Sequence, residues 1–391
     1  MASAASGPAL LVHLTSLSCA DPEGVLAAAP PPAEAEAAAK ALSRLCEQPA
    51  TPTASASAER ERELAALLEG GGAALRTLCA AIKCATDAID AIERDTTADT
   101  ADCGLLRWGH LRVNALQVLL QLASSEARCV ALVEQTDGGT AAACVELLAS
   151  RASRTDREGT RTCANLLRNL AMPAPNRPRL GALAGLFPAL LKHVPHLDPN
   201  TEAVIAAAMR ILVEGCPTNA VRAAQACALA REEGGGEGSG EGSGEGGGGE
   251  VFRRIVQADV ARMHPFCRAE LSRFIALCIT AVCETAPPEE RPPPPVQLEL
   301  ASPAALGFAA FLLASRHAPL HHEFCAALRA ARRAHEQAGS AHAWAERVGA
   351  IAVPVRGTEK PLREVLAELA AAGTVAAADA SLADAPPAPV S

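Results

Sequence analysis

Residues 162–180, TCANLLRNLAMPAPNRPRL, restrict the fold more than any other stretch of the chain. Cys163, Leu166, Leu167 and Leu170 fall at i, i+3, i+4 and i+7, the apolar stripe of a helix that buries one face. Asn165 and Asn169, four apart, stack on a neighbouring face. Pro173 ends the helix, Pro175 and Pro178 stiffen the turn after it, and Leu183, Leu186, Leu190 and Leu191 predict a further helix that Pro188 interrupts. The same arrangement occurs upstream. Leu111, Ala115, Val118, Leu119 and Leu122 form a buried stripe, with Asn114, Gln117 and Gln121 beside it. Aligning Gln121 with Asn169 puts Gln117 on Asn165 and Asn114 on Thr162. Two helices with an apolar stripe and an amide row in register predict an all-α helical repeat solenoid, in which each unit hides its apolar face on the next.

At 391 residues the chain has room for several such units. It has no Tyr, seven Phe and two Trp, which favours helices packed through small side chains over sheets. GC-rich codon usage would inflate Ala, Gly, Pro and Arg equally, whereas the helical spacing of apolar residues does not follow from codon bias. A net charge of −9 opposes a nucleic-acid role and suits a basic partner. No apolar run is long enough to cross a bilayer, and the N-terminal MASAASGPALLVHLTSL lacks a basic flank, making it a poor signal peptide. The 14 Cys follow helical patterns without framework spacing and read as buried free thiols of a cytoplasmic protein.

In chain order, residues 1–104 form an N-terminal helical region of degenerate repeats. Helices are expected at 8–27 and 32–47, then at 58–69 with Ser57 as its cap, then at 73–92 beyond Gly70, Gly71 and Gly72. Residues 95–103 read as a turn. Helical repeats occupy 105–233, with Ser125 capping 126–134, a break at Asp137, Gly138 and Gly139, and helices at 140–149 and 200–215. Residues 234–250, GGGEGSGEGSGEGGGGE, have nothing to bury and form a disordered acidic insertion. Repeats and a C-terminal cap resume over 251–371, with helices at 251–260, 271–282, 302–313 and 323–332, a proline-rich break at 286–295 and a weaker helical stretch at 340–371. Residues 372–391 read as a disordered Ala/Pro tail.

No GxxxxGK[ST] or GxGxxG occurs. His321, His322, Glu323 and Cys325 form the one cluster with a hint of ligand or nucleophile spacing, His321 and Cys325 being i, i+4, but no second Cys/His pair has zinc spacing and no orienting group or oxyanion hole is announced.

With these residues in view, the chain resembles armadillo-repeat proteins, and more narrowly the smg-type GDP-dissociation stimulators, guanine-nucleotide exchange factors and chaperones of small Ras- and Rho-like GTPases. NLLRNLAMPAPNRPRL at 165–180 carries the resemblance, with AAAMRILVEG at 206–215, VFRRIVQADV at 251–260, CRAELSRFIALCITA at 267–281 and the segment 301–332 in matching order. The resemblance implies a monomer that binds a small GTPase with a polybasic, prenylated C-terminus in a concave groove and favours its nucleotide-free form. It implies no catalytic chemistry, no cofactor or metal, no nucleic acid and no stable membrane insertion. Asn169 matches a groove Asn of the family and Gln121 replaces it one unit earlier. Arg273, after Ser272, and Glu323, after His322, stand where the family has Asn–Arg and Asn–Glu pairs. The candidate partner-binding set is therefore Asn114, Gln117, Gln121, Asn165, Asn169, Arg273 and Glu323. For Asn169, bonding of a neighbouring unit's main chain and capture of a partner both remain open. A chaperone of prenylated GTPases and a passive adaptor for an extended peptide are the alternatives; an apolar pocket at Ile211, Ile279 and Ala207 would mark the chaperone.

Overall fold

Side chains that cap helix N-termini set most element boundaries, because the first turn of each helix leaves N–H groups without intrahelical partners. The computed structural model describes residues 54–69, 72–94, 101–229, 255, 263–355 and 358–384. The expectations for 1–53 and for the Gly/Glu insertion lie outside these residues, as does all of the 251–260 helix except Ile255. The described residues are mostly helical, with one small hairpin. The chain divides into two compact units, residues 1–193 and 194–391.

The first unit contains α1 (Ala54–Glu69), α2 (Ala73–Arg94), α3 (Ala101–Leu122), α4 (Glu126–Gln135), α5 (Gly139–Ala149), α6 (Arg157–Ala171) and the short α7 (Asn176–Gly181) and α8 (Leu186–Leu191). Ser125 caps α4, its Oγ accepting from Arg128 N, as the spacing predicts. Asp156 caps α6 through Gly159 N. The cap expected at Ser57 is corrected: α1 spans Ala54–Glu69, so Ser57 lies within the helix and not ahead of it. Likewise 101–103 belong to α3 and not to a turn. α3 packs against α2 and α6, and α5 against α2, α6 and α8. Their apolar stripes meet in a core that includes Leu75, Ile82, Leu111, Leu119, Leu147, Leu166 and Leu170. Thr160 is buried there, its hydroxyl donating to Ser153 O at 2.6 Å.

The second unit contains α9 (Pro199–Val213), α10 (Pro217–Leu229), α11 (Pro265–Thr280), α12 (Pro294–Leu300), α13 (Pro303–Ala309), α14 (Ala318–Gln337) and α15 (Ala341–Gly349). A hairpin of β1 (Ala352–Val355) and β2 (Thr358–Pro361) follows, then α16 (Leu362–Ala371) and α17 (Ala377–Ala380). Asp198, His264 and Ser302 cap α9, α11 and α13. α11 is central, touching α9 and α14 along its length.

Three expectations are corrected in this unit. The 286–295 break ends inside a helix, since Pro294 opens α12, where a proline costs no hydrogen bond. The stretch 340–371 is not helical throughout. Pro354 and Pro361 forbid a helix between α15 and α16, and alternating side chains bury Val353 in an antiparallel pair instead. The tail expected to be disordered is folded as far as Asp384: Asp379 pairs with Arg329, and Arg332 donates to the carbonyls of Ser381 and Leu382. Gly349 lets Ala383 O approach so closely that a Cβ there would lie 2.6 Å from it.

Candidate functional site

In the first unit the apolar stripes of α3 and α6 face the core, so the amide row is carried along the outer edge of the α3–α6 seam. Asn114, Gln117, Gln121, Asn165 and Asn169 are each half-buried. Asn169 donates its amide to Ala123 O at 3.2 Å, just past the end of α3, and so fastens the two helices through main chain. Gln117 donates to Glu158 Oε1 at 3.2 Å, near the opposite end of α6. Asn165, between these ties, bonds only within its own helix, donating to Arg161 O at 3.1 Å. Asn176 has a larger fastening role. It is buried, and its amide donates to Leu170 O at 2.9 Å and Cys129 O at 3.1 Å, closing the turn after α6 onto α4.

Beside this row lies an open cleft of about 500 Å³, lined in part by His110, Arg112, Asn114, Gln117, Asp156 and Glu158. Arg112 is 2% exposed. Its Nη2 donates to Asp156 Oδ2 at 2.6 Å, while Nε and Nη1 are buried with no hydrogen-bond partner among the described residues. Asp156 thus uses one carboxylate oxygen to cap α6 and the other to hold a buried guanidinium. Gly159 makes this possible: a Cβ there would lie 2.0 Å from Asp156 Oδ2.

In the second unit, Arg273 and Glu323 find each other. Arg273 Nε donates to Glu323 Oε2 at 2.8 Å and Nη2 to Glu323 Oε1 at 2.6 Å, a two-pronged pair between α11 and α14. Arg273 also reaches Glu214 Oε1 at 3.1 Å. Arg210 on α9 holds Glu214 at 2.6 Å and Glu270 at 2.7 Å. The result is a row of alternating charge across α9, α11 and α14, in which the Glu323 hydrogen bond pushes the Arg273 guanidinium further up. Ser272 is buried, its Oγ donating to Phe308 O at 3.1 Å. Ile211, Ile279 and Ala207 are core residues.

The seven expected residues therefore fall into two groups in separate units, five amides on α3 and α6 and one ion pair between α11 and α14. Arg112, Asp156, Arg210, Glu214 and Glu270 were missed. The i, i+4 spacing of Arg210 and Glu214 was a readable signal of pairing on one helix face. Arg112 sits between Leu111 and Val113 at the edge of an apolar stripe, and a sequence does not show which charge will be buried.

His321 and Cys325 offer no assembled chemistry. His321 is buried with Nε2 2.8 Å from Ser315 O, and burial pushes the Cys325 thiol up to about 12. Burial also pushes Cys129 to about 11 and Cys267 to about 12. Thiols held protonated are poor nucleophiles. Among the described residues, no group of three or more His, Cys, Asp or Glu is placed to hold a metal ion.

No family model matches the chain, and no curated protein matches it. Among solved structures, the chain is similar to an engineered protein, with 17% identity over 96% of this chain and 97% of that one and a TM-score of 0.35. At that score the likeness carries no inference about fold or function.

Proposed function

We propose that this chain is an armadillo-like regulator that binds a small Ras- or Rho-like GTPase and stimulates loss of its GDP by holding the nucleotide-free form more tightly. The observation that carries the reading is the amide row on α3 and α6, where Asn165 lies half-buried between two helix-to-helix ties with its amide oxygen taken by nothing among the described residues. An amide in that state can both accept from and donate to a partner's main chain. The ordered resemblance of 165–180, 206–215, 267–281 and 301–332 to the smg-type stimulators supports the choice of partner.

The mechanism is differential binding and needs no covalent step. A partner that exists in a closed, GDP-bound form and an open, empty form is driven toward the open one by whatever binding energy the open form alone receives. Shifting the balance from 1:99 to 99:1 takes about 5.5 kcal/mol, within reach of a handful of well-placed polar contacts. Arg273 is engaged by Glu323 and Glu214, and we assign the Arg273–Glu323 pair to holding α11 on α14.

The test is release of fluorescent GDP from a panel of Rho- and Rap-like GTPases, prenylated forms included, with excess wild-type protein and with a Gln117→Ala, Asn165→Ala variant. Asn169 is left intact because its amide fastens α6 to Ala123. Accelerated release that the variant loses supports exchange. Binding without release moves the reading to a chaperone or adaptor, and absence of binding across the panel removes the GTPase.

A further inference from the structure

The exposed side of α6 carries a charge that the rest of the chain does not lead one to expect. Arg157 and Arg161 are exposed and Arg168 is half-buried, on the same side of the helix as Asn165 and Met172. None of the three guanidinium groups has an ion-pair or hydrogen-bond partner among the described residues. In the second unit, by contrast, Arg210 and Arg273 are held by Glu214, Glu270 and Glu323. Lys83 and Arg128 in the first unit are likewise paired, with Glu146 and Glu61. The acid on this side of α6, Glu158, accepts from Gln117 and keeps its charge, so three guanidinium groups share the face with one carboxylate. A chain of net charge −9 therefore presents a locally cationic helix face. Charges elsewhere on the chain are screened beyond about 8 Å at physiological ionic strength, so the local sign governs what docks.

We infer that this face of α6 binds an extended acidic segment of a protein partner, with carboxylates meeting Arg161 and Arg168 and main chain meeting Asn165. Spacing supports this. Arg161 and Arg168 are seven residues apart on a helix rising 1.5 Å per residue, roughly 10 Å along the axis. An extended chain rises about 3.3 Å per residue, so acidic residues three apart match the two guanidinium groups. Asn165 lies midway, at the height of the intervening peptide groups. Met172, 53% exposed at the end of the same side, offers an apolar contact beyond the second carboxylate. Guanidinium groups suit this role because each can take a carboxylate in a planar, two-pronged bond. The inference concerns the chemistry of the bound segment and holds whether or not the partner is a GTPase.

The test uses the full chain and fluorescein-labelled synthetic peptides: one with Glu at every third position in a Ser/Thr background, one with Gln in place of Glu, and one with Lys. A single-stranded oligonucleotide and phosphatidylserine vesicles serve as competing polyanions. The expected result is saturable binding of the Glu peptide only, weakened about tenfold by Arg161→Gln with Arg168→Gln and weakened further by added salt. Arg179→Gln, an exposed arginine on α7, should leave binding unchanged, and circular dichroism melts of all variants should coincide. Equal binding of Glu and Gln peptides would overturn the inference, as would indifference to the double substitution. Tighter binding of the oligonucleotide or the vesicles than of the Glu peptide would overturn it as well.

Discussion

Replacing a helical glycine by alanine ordinarily stabilises a protein, because alanine gives up less backbone freedom on folding; the gain is about 0.5–1 kcal/mol. At Gly159 the sign should reverse. The residue lies in the first turn of α6, and its missing side chain leaves room for the Asp156 carboxylate, to which a Cβ would come within 2.0 Å. That carboxylate cannot swing away freely. One oxygen accepts from Gly159 N at 2.8 Å and the other holds Arg112 Nη2 at 2.6 Å. Losing the cap costs about 0.5–2 kcal/mol. Stripping the partner from a buried charge costs about 3–5 kcal/mol when complete. A partial loss of both, offset by the alanine gain, leaves Gly159→Ala less stable by about 2–4 kcal/mol. Urea unfolding followed by circular dichroism measures this. Adding Arg112→Met to Gly159→Ala should recover part of the loss, since no buried charge then lacks its partner. A Gly159→Ala protein as stable as wild type, or more so, would show that the Asp156 carboxylate does not depend on the missing side chain at 159.

Four further outcomes follow from other sites. Glu202 is 6% exposed, and burial raises its carboxyl pKa above the ordinary value. Its folded pKa exceeds its unfolded one, so its neutral form favours folding and stability falls as pH rises between the two. Glu202→Gln should therefore stabilise by about 1 kcal/mol at pH 8 and by less at pH 5, read from denaturant melts. Asn169→Ala should cost about 1 kcal/mol by leaving the Ala123 carbonyl with the weak Cys129 thiol as donor, with faster amide exchange at the end of α3. Gly349→Ala should dislodge residues 377–383 and expose them to limited proteolysis, because of the contact with Ala383 O. Cys267 and Cys325 should resist iodoacetamide at pH 8 in the native protein and react once it is denatured, as mass spectrometry of the two peptides would show.

Helical periodicity was the most legible property of the sequence, since apolar stripes such as Leu166, Leu167 and Leu170 must be buried whatever they pack against. Caps with a short polar side chain before the stripe, such as Ser125, could be read directly. The hairpin at β1 and β2 could not, because four-residue strands carry too little alternation to outweigh a helical neighbourhood. The folded part of the tail was hidden for a different reason. Its contacts are with Arg329 and Arg332, about fifty residues away, and local composition says nothing of such partners. The amide row was legible as a pattern, but the division of labour within it was not. Asn165 and Asn169 look alike in sequence, and one bonds a neighbouring helix while the other bonds its own. Arg273 and Glu323 could be named as charged groove positions from resemblance, but their mutual pairing depends on α11 lying against α14.

The central proposal is that the chain distinguishes the empty form of a small GTPase from the loaded one, and a pair of dissociation constants tests it most directly. Isothermal titration of this protein into one GTPase, prepared nucleotide-free and GDP-loaded, gives both values on the same scale. The nucleotide-free complex should be at least about 100-fold tighter, a difference near 2.7 kcal/mol, reduced in the Gln117→Ala, Asn165→Ala variant. Equal affinity for the two forms would contradict it, because a partner bound equally well in both states is shifted toward neither.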